Sequence, residues 1–62
     1  MDILDAVRIE VGRANAALMR ADTQLGKVDP DLTLLETELE LASRFVRIAR
    51  QTLNTAVAKR DS

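Results

Sequence analysis

Two runs of aliphatic residues repeat every seven positions along almost the whole chain. The runs are Leu4, Val7, Val11, Ala14, Leu18, Ala21, Leu25 and Val28, followed by Leu32, Leu35, Leu39, Ala42, Val46, Ala49, Leu53 and Ala56. Within each run the spacing alternates between three and four residues, which is the pattern of the a and d positions of a left-handed coiled coil. We therefore predict two amphipathic helices that pack along these residues, which we call the predicted seam.

A break between the two runs places the turn. The sequence LGKVDPDL contains Gly26, which suits a left-handed helix end, and Asp29 and Pro30, which suit the cap and first position of a second helix. We predict helices over about residues 2–25 and 30–59, with a turn at about 26–29. Because so short a turn makes successive helices antiparallel neighbours, the predicted fold is an all-α antiparallel two-helix hairpin, a single domain over residues 1–62.

The size of the chain limits how such a hairpin can be stabilised. A domain of 62 residues buries only about 60% of the surface of its unfolded chain and is marginal alone. The sequence has no cysteine and no histidine, which excludes disulfides and removes the commonest metal ligand and general base. We therefore expect no cofactor, no metal site and no enzymatic activity, and we expect oligomerisation with another copy or with a different protein.

Charge and hydropathy narrow the class of partner. The net charge is −1, and Arg13, Arg20 and Lys27 form only a thin basic line with seven-residue spacing. Because tyrosine and tryptophan are absent, no such side chain can stack on bases, and we do not expect nucleic-acid binding. No apolar run approaches the roughly 20 residues of a membrane span. The first residues lack a signal-peptide layout, so we expect a cytoplasmic protein.

The second helix carries more apolar residues than one neighbouring helix can cover. Beside the predicted seam lies a second stripe that we predict to bind a partner, and the first helix carries a smaller surplus. These predicted partner-binding residues are Leu34, Leu41, Phe45 and Ile48, together with Ile9 and Met19. Four large apolar residues at helical spacing form a contiguous patch, and such patches mark interaction sites. We accordingly expect Phe45→Ala to weaken partner binding, and Val46→Ala, within the predicted seam, to destabilise the fold.

The stretch KVDPDLTLLETELELASRFVRIARQTL, residues 27–53, resembles the small two-helix co-chaperones of the type III secretion needle subunit. The resemblance implies an acidic, cytoplasmic hairpin that pairs with a larger helical-repeat chaperone and helps keep the needle subunit from polymerising early. It would place partner contacts on Leu34, Leu41, Phe45 and Ile48. Length, unbroken heptads and an Asp-containing turn also resemble plasmid copy-number regulators, whose hairpins pair into four-helix bundles and bind RNA loops.

The sequence therefore favours a non-enzymatic protein–protein interaction module, with the secretion co-chaperone as its most specific form. Two alternatives stay open at this point. One is a self-assembling homodimeric four-helix bundle with a regulatory role that includes RNA binding. The other is a small phage-type inhibitor of a host protein.

Overall fold

The chain forms an antiparallel hairpin of two helices. The computed structural model describes residues 2–61, with side chains for residues 2–59. Helix α1 spans Ile3–Leu25 and helix α2 spans Leu32–Asp61, and residues 26–31 connect them. Residues 2–61 contain no β-strand. At about 1.5 Å per residue the helices are about 35 and 45 Å long, which matches overall dimensions of 52 × 16 × 13 Å.

Small side chains fill the contact between the helices. The buried hydrophobic residues are Ala14, Ala17 and Ala21 on α1 and Ala42 and Ala49 on α2. The contact rows that contain them step by three and four residues: Ile3, Val7, Glu10, Ala14, Ala17, Ala21 and Gln24 on α1, and Leu35, Glu38, Ala42, Phe45, Ala49, Thr52 and Ala56 on α2. Because alanine projects only a methyl group, two helix backbones can approach closely along such rows.

The predicted seam is wrong at every second position. Its alanines, Val7 and Leu35 lie in the contact rows, but its remaining large residues are exposed on one side of them. The displaced helix residues have exposed fractions from 42% to 69%, and Val28, in the turn, is fully exposed. They are Leu4, Val11, Leu18, Leu25, Leu32, Leu39, Val46 and Leu53. The alanines belong to two possible rows. The helices pack on the row that continues through Ala17, which is fully buried, and this packing lets Arg20 bind Glu38.

The turn differs from the prediction at both ends. Helix α2 begins at Leu32, and its cap is Asp31, whose Oδ1 accepts a hydrogen bond from the Leu34 N–H at 3.0 Å. Asp29 was therefore the wrong cap, because the following Pro30 lies before the helix and biases Asp29 toward extended backbone. Gly26 ends α1 with φ −80° and ψ −7°. The expected left-handed conformation is thus wrong, and α1 closes in a tight right-handed turn.

A buried amide holds the turn against α1. Gln24 is buried, and its Oε1 accepts a hydrogen bond from the backbone N–H of Asp31 at 3.1 Å. The last turn of α1 is thereby tied to the residue that caps α2. This contact satisfies a buried polar side chain and fixes where the second helix starts relative to the first.

Candidate interaction surface

One face of the hairpin carries two parallel rows of exposed aliphatic side chains, which we call the leucine face. It consists of Leu4, Val11, Leu18 and Leu25 on α1 and Leu32, Leu39, Val46, Leu53 and Val57 on α2. Each row runs directly beside the contact row of its helix with seven-residue spacing, and Val57 extends the α2 row four residues beyond Leu53. The exposed fractions lie between 42% and 69%, so these side chains contact solvent along the whole length of the hairpin.

Contacts at the open end show that both rows lie on the same side. Leu4 of α1 lines one groove together with Leu53 and Val57 of α2, and Ile3 and Ala56 line the same groove. The α1 row and the α2 row therefore form one continuous apolar surface. In an antiparallel pair, the positions that flank the contact on one side of each helix face the same way, and the rest of the two rows follows this geometry.

The opposite side of the contact is closed by arginines, and we call it the arginine face. Arg20 Nε donates a hydrogen bond to Glu38 Oε2 at 2.8 Å. The guanidinium carbon of Arg13 lies 5.9 Å from the centroid of the Phe45 ring, and its Nη1 lies 3.6 Å from Glu10 Oε1. The aliphatic stems of arginines shield apolar surface while their charged ends remain hydrated. Two residues of the basic line are thus already engaged within the hairpin.

The structure brings four of the predicted partner-binding residues together on the arginine face. Leu41 and Phe45 are half-buried, while Leu34 and Ile48 are 39% and 38% exposed. The other two, Ile9 and Met19, are exposed on the part of α1 that faces away from α2. The role of all six in binding a partner stays a prediction.

Phe45 and the neighbouring Val46 have the opposite surroundings to those that the sequence predicts. Phe45 lies in a contact row under Arg13, so removal of its ring would leave a gap between the helices. Val46 is 47% exposed on the leucine face, so its truncation would change the outer surface. The sequence indicates the leucine face in one way. Leu25 and Leu32 are seven residues apart, so the seven-residue repeat of large aliphatic residues continues through the turn.

Comparison of the chain with protein families, with curated proteins and with solved structures found no match. Within residues 2–61, neither helix combines the length and the apolar character needed to cross a bilayer. Function is therefore inferred from the chemistry and the geometry of the two faces.

Proposed function

We propose that this hairpin is a non-enzymatic protein–protein interaction module that docks its leucine face on helices of a partner protein. One observation carries the proposal: nine large aliphatic side chains share one face, whereas alanines fill the hairpin's own core. Soluble monomers rarely expose contiguous apolar patches of more than a few hundred Å². Full burial of one such side chain contributes roughly 1.5–3 kcal/mol, so a partner gains much by covering the face.

The hairpin presents this face in a fixed arrangement. The alanine rows set the distance between the helices, Arg20–Glu38 fixes their register, and Gln24–Asp31 fixes the turn. Two rows with heptad spacing offer the grooves into which side chains of another helix insert. Because the rows are ordered before the partner arrives, less conformational entropy is lost on binding.

A more specific form of the proposal follows from the resemblance of residues 27–53 to needle co-chaperones. In this form the hairpin acts in the cytoplasm and pairs with a larger helical chaperone. The apolar rows of α2, on the leucine face and on the arginine face, support a role in which this helix supplies most of the contact.

Photo-crosslinking in cells tests the module directly. A benzophenone amino acid replaces Leu18 or Val46 on the leucine face, and Arg44, exposed on α2 away from this face, is the matched control position. We expect discrete adducts from positions 18 and 46 and none from position 44. Each adduct is identified by mass spectrometry, and a larger helical chaperone would support the co-chaperone form.

Two further positions separate the faces. Benzophenone at Leu34 or Ile48 reports on the arginine face, where those side chains are similarly exposed. Adducts from these positions alone would move the docking surface to the arginine face. If positions 18 and 46 gave no more adduct than position 44, the proposed function would be wrong for the leucine face.

A further inference from the structure

The charged residues along the outer edges of the leucine face follow a simple order. On α1 the edge carries Arg8, Asn15 and Asp22, each four residues after one leucine-face residue and three before the next. On α2 the corresponding edge carries Glu36, Ser43 and Arg50, and all six side chains are exposed. Both edges therefore run from basic at the open end, through a neutral residue, to acidic at the turn.

The register of the hairpin puts like residues level with each other. The contacts Arg20–Glu38 and Arg13–Phe45 show which residues of the two helices lie side by side. In this register Asp22 is level with Glu36 near the turn, Asn15 with Ser43 in the middle, and Arg8 with Arg50 near the open end. Successive levels are about 10 Å apart, since each spans seven helical residues.

From this order we infer that the partner on the leucine face is a second copy of this chain, packed face to face with its turn over the open end of the first. This inference rests on the proposed function. A two-fold axis across the face at the level of Asn15 and Ser43 places α1 on the partner's α1 and α2 on the partner's α2. Each acidic edge then meets a basic edge, Asp22 opposite Arg8 and Glu36 opposite Arg50.

The alternative dimer, with both turns at the same end, places like charges together. Its two-fold axis runs along the hairpin, so that α1 lies on the partner's α2. Asp22 would then face Glu36, and Arg8 would face Arg50, at every edge. The sizes of the apolar side chains favour the same choice. In the dimer with its turns at opposite ends, Leu18 packs at the level of the partner's smaller Val11. In the dimer with both turns at the same end, the leucines at the level of Leu18 would pack against leucines.

The size of the surface fits a stable dimer of this kind. The whole molecule measures 52 × 16 × 13 Å, so one long side has an area of the same order as the roughly 800 Å² per partner of a standard interface. Self-complementarity under a two-fold axis is the property that an isologous homodimer requires. A surface that served only a different protein would not need both edges to reverse charge about the same midpoint.

Single cysteines test the orientation, because the natural chain has none. The variant N15C is treated with a short bismaleimide, with Arg44→Cys as the control. In the inferred dimer Asn15 faces its own symmetry mate, so N15C alone gives a covalent dimer. Linkage that appears only when N15C is mixed with S43C would identify the same-end dimer and overturn the inference.

Charge reversal tests the edges independently. The variants D22R/E36R and R8E/R50E each make both edges a single sign, and circular dichroism checks that both remain helical. We expect each variant to dimerise about tenfold more weakly by sedimentation, and an equal mixture to recover the lost affinity. Unchanged affinity of D22R/E36R would contradict opposite turns, since a same-end dimer already pairs like charges.

The outcomes also separate this inference from the proposed function. A monomeric wild-type chain whose positions 18 and 46 crosslink to another protein would overturn the homodimer and leave the interaction module standing. A monomeric chain with no adduct from those positions would overturn both.

Discussion

At the scale of single residues, Glu38 shows how charge is accommodated in an alanine-filled contact. Glu38 is 8% exposed, and its Oε2 accepts the hydrogen bond from Arg20. Arg20→Met keeps an unbranched stem over the contact but leaves the carboxylate without this donor. We expect the free energy of unfolding to fall by about 1–3 kcal/mol, measured by urea denaturation at fixed protein concentration.

Arg47→Met is the matched control for this change. Arg47 is exposed on the outer side of α2, so the same substitution there should change the free energy of unfolding by no more than about 0.5 kcal/mol. Equal losses in both variants would mean that the Arg20–Glu38 hydrogen bond does not stabilise the hairpin.

At the scale of helices, the cap of α2 is the first feature to test. Asp31→Ala removes the side-chain acceptor of the Leu34 N–H and should lower the free energy of unfolding by about 1 kcal/mol. Asp29→Ala, two residues earlier, should have little effect, because α2 begins at Leu32. Thermal denaturation of the two variants side by side decides between the caps, and a larger loss for Asp29→Ala would reverse the assignment.

The two glycines give opposite tests of helix geometry. Gly12 lies inside α1 with nothing within 4 Å of an added Cβ, so Gly12→Ala should raise the free energy of unfolding by about 0.5–1 kcal/mol. Gly26 has φ −80°, and its added Cβ would meet only ordinary contacts. Gly26→Ala should therefore be nearly neutral, and a loss of about 1 kcal/mol would restore the left-handed turn that the sequence predicted.

How far the sequence predicted this fold depends on the property in question. The hairpin is confirmed, and the helix bounds fall within about two residues, because heptads and the Gly26–Pro30 segment mark them directly. The rotation of each helix about its own axis was wrong. Ala14 and Ala21 belong both to the predicted seam and to the observed contact row. The observed row also contains the polar Glu10 and Gln24, so its residues do not form an apolar repeat. Only tertiary contacts resolve that choice, and with it which aliphatic residues face outward.

At the scale of the whole molecule, folding and association should be one process. The hairpin buries five alanines and exposes nine large aliphatic residues on the leucine face alone, so its own core contributes little and the leucine face contributes much once covered. If association completes the fold, Tm must rise with protein concentration by mass action. We expect a rise of several degrees over about a hundredfold range of concentration, measured by circular dichroism.

Variants on and away from the leucine face make this coupling specific. Leu18→Ser with Val46→Ser should lower Tm and remove its dependence on concentration, because the leucine face can no longer be covered by an apolar surface. Arg44→Ser with Thr55→Ser, exposed on α2 away from the leucine face, should retain both the Tm and its dependence. A wild-type Tm that did not change with concentration would show that the alanine contact folds alone, and the leucine face would then be dispensable for stability.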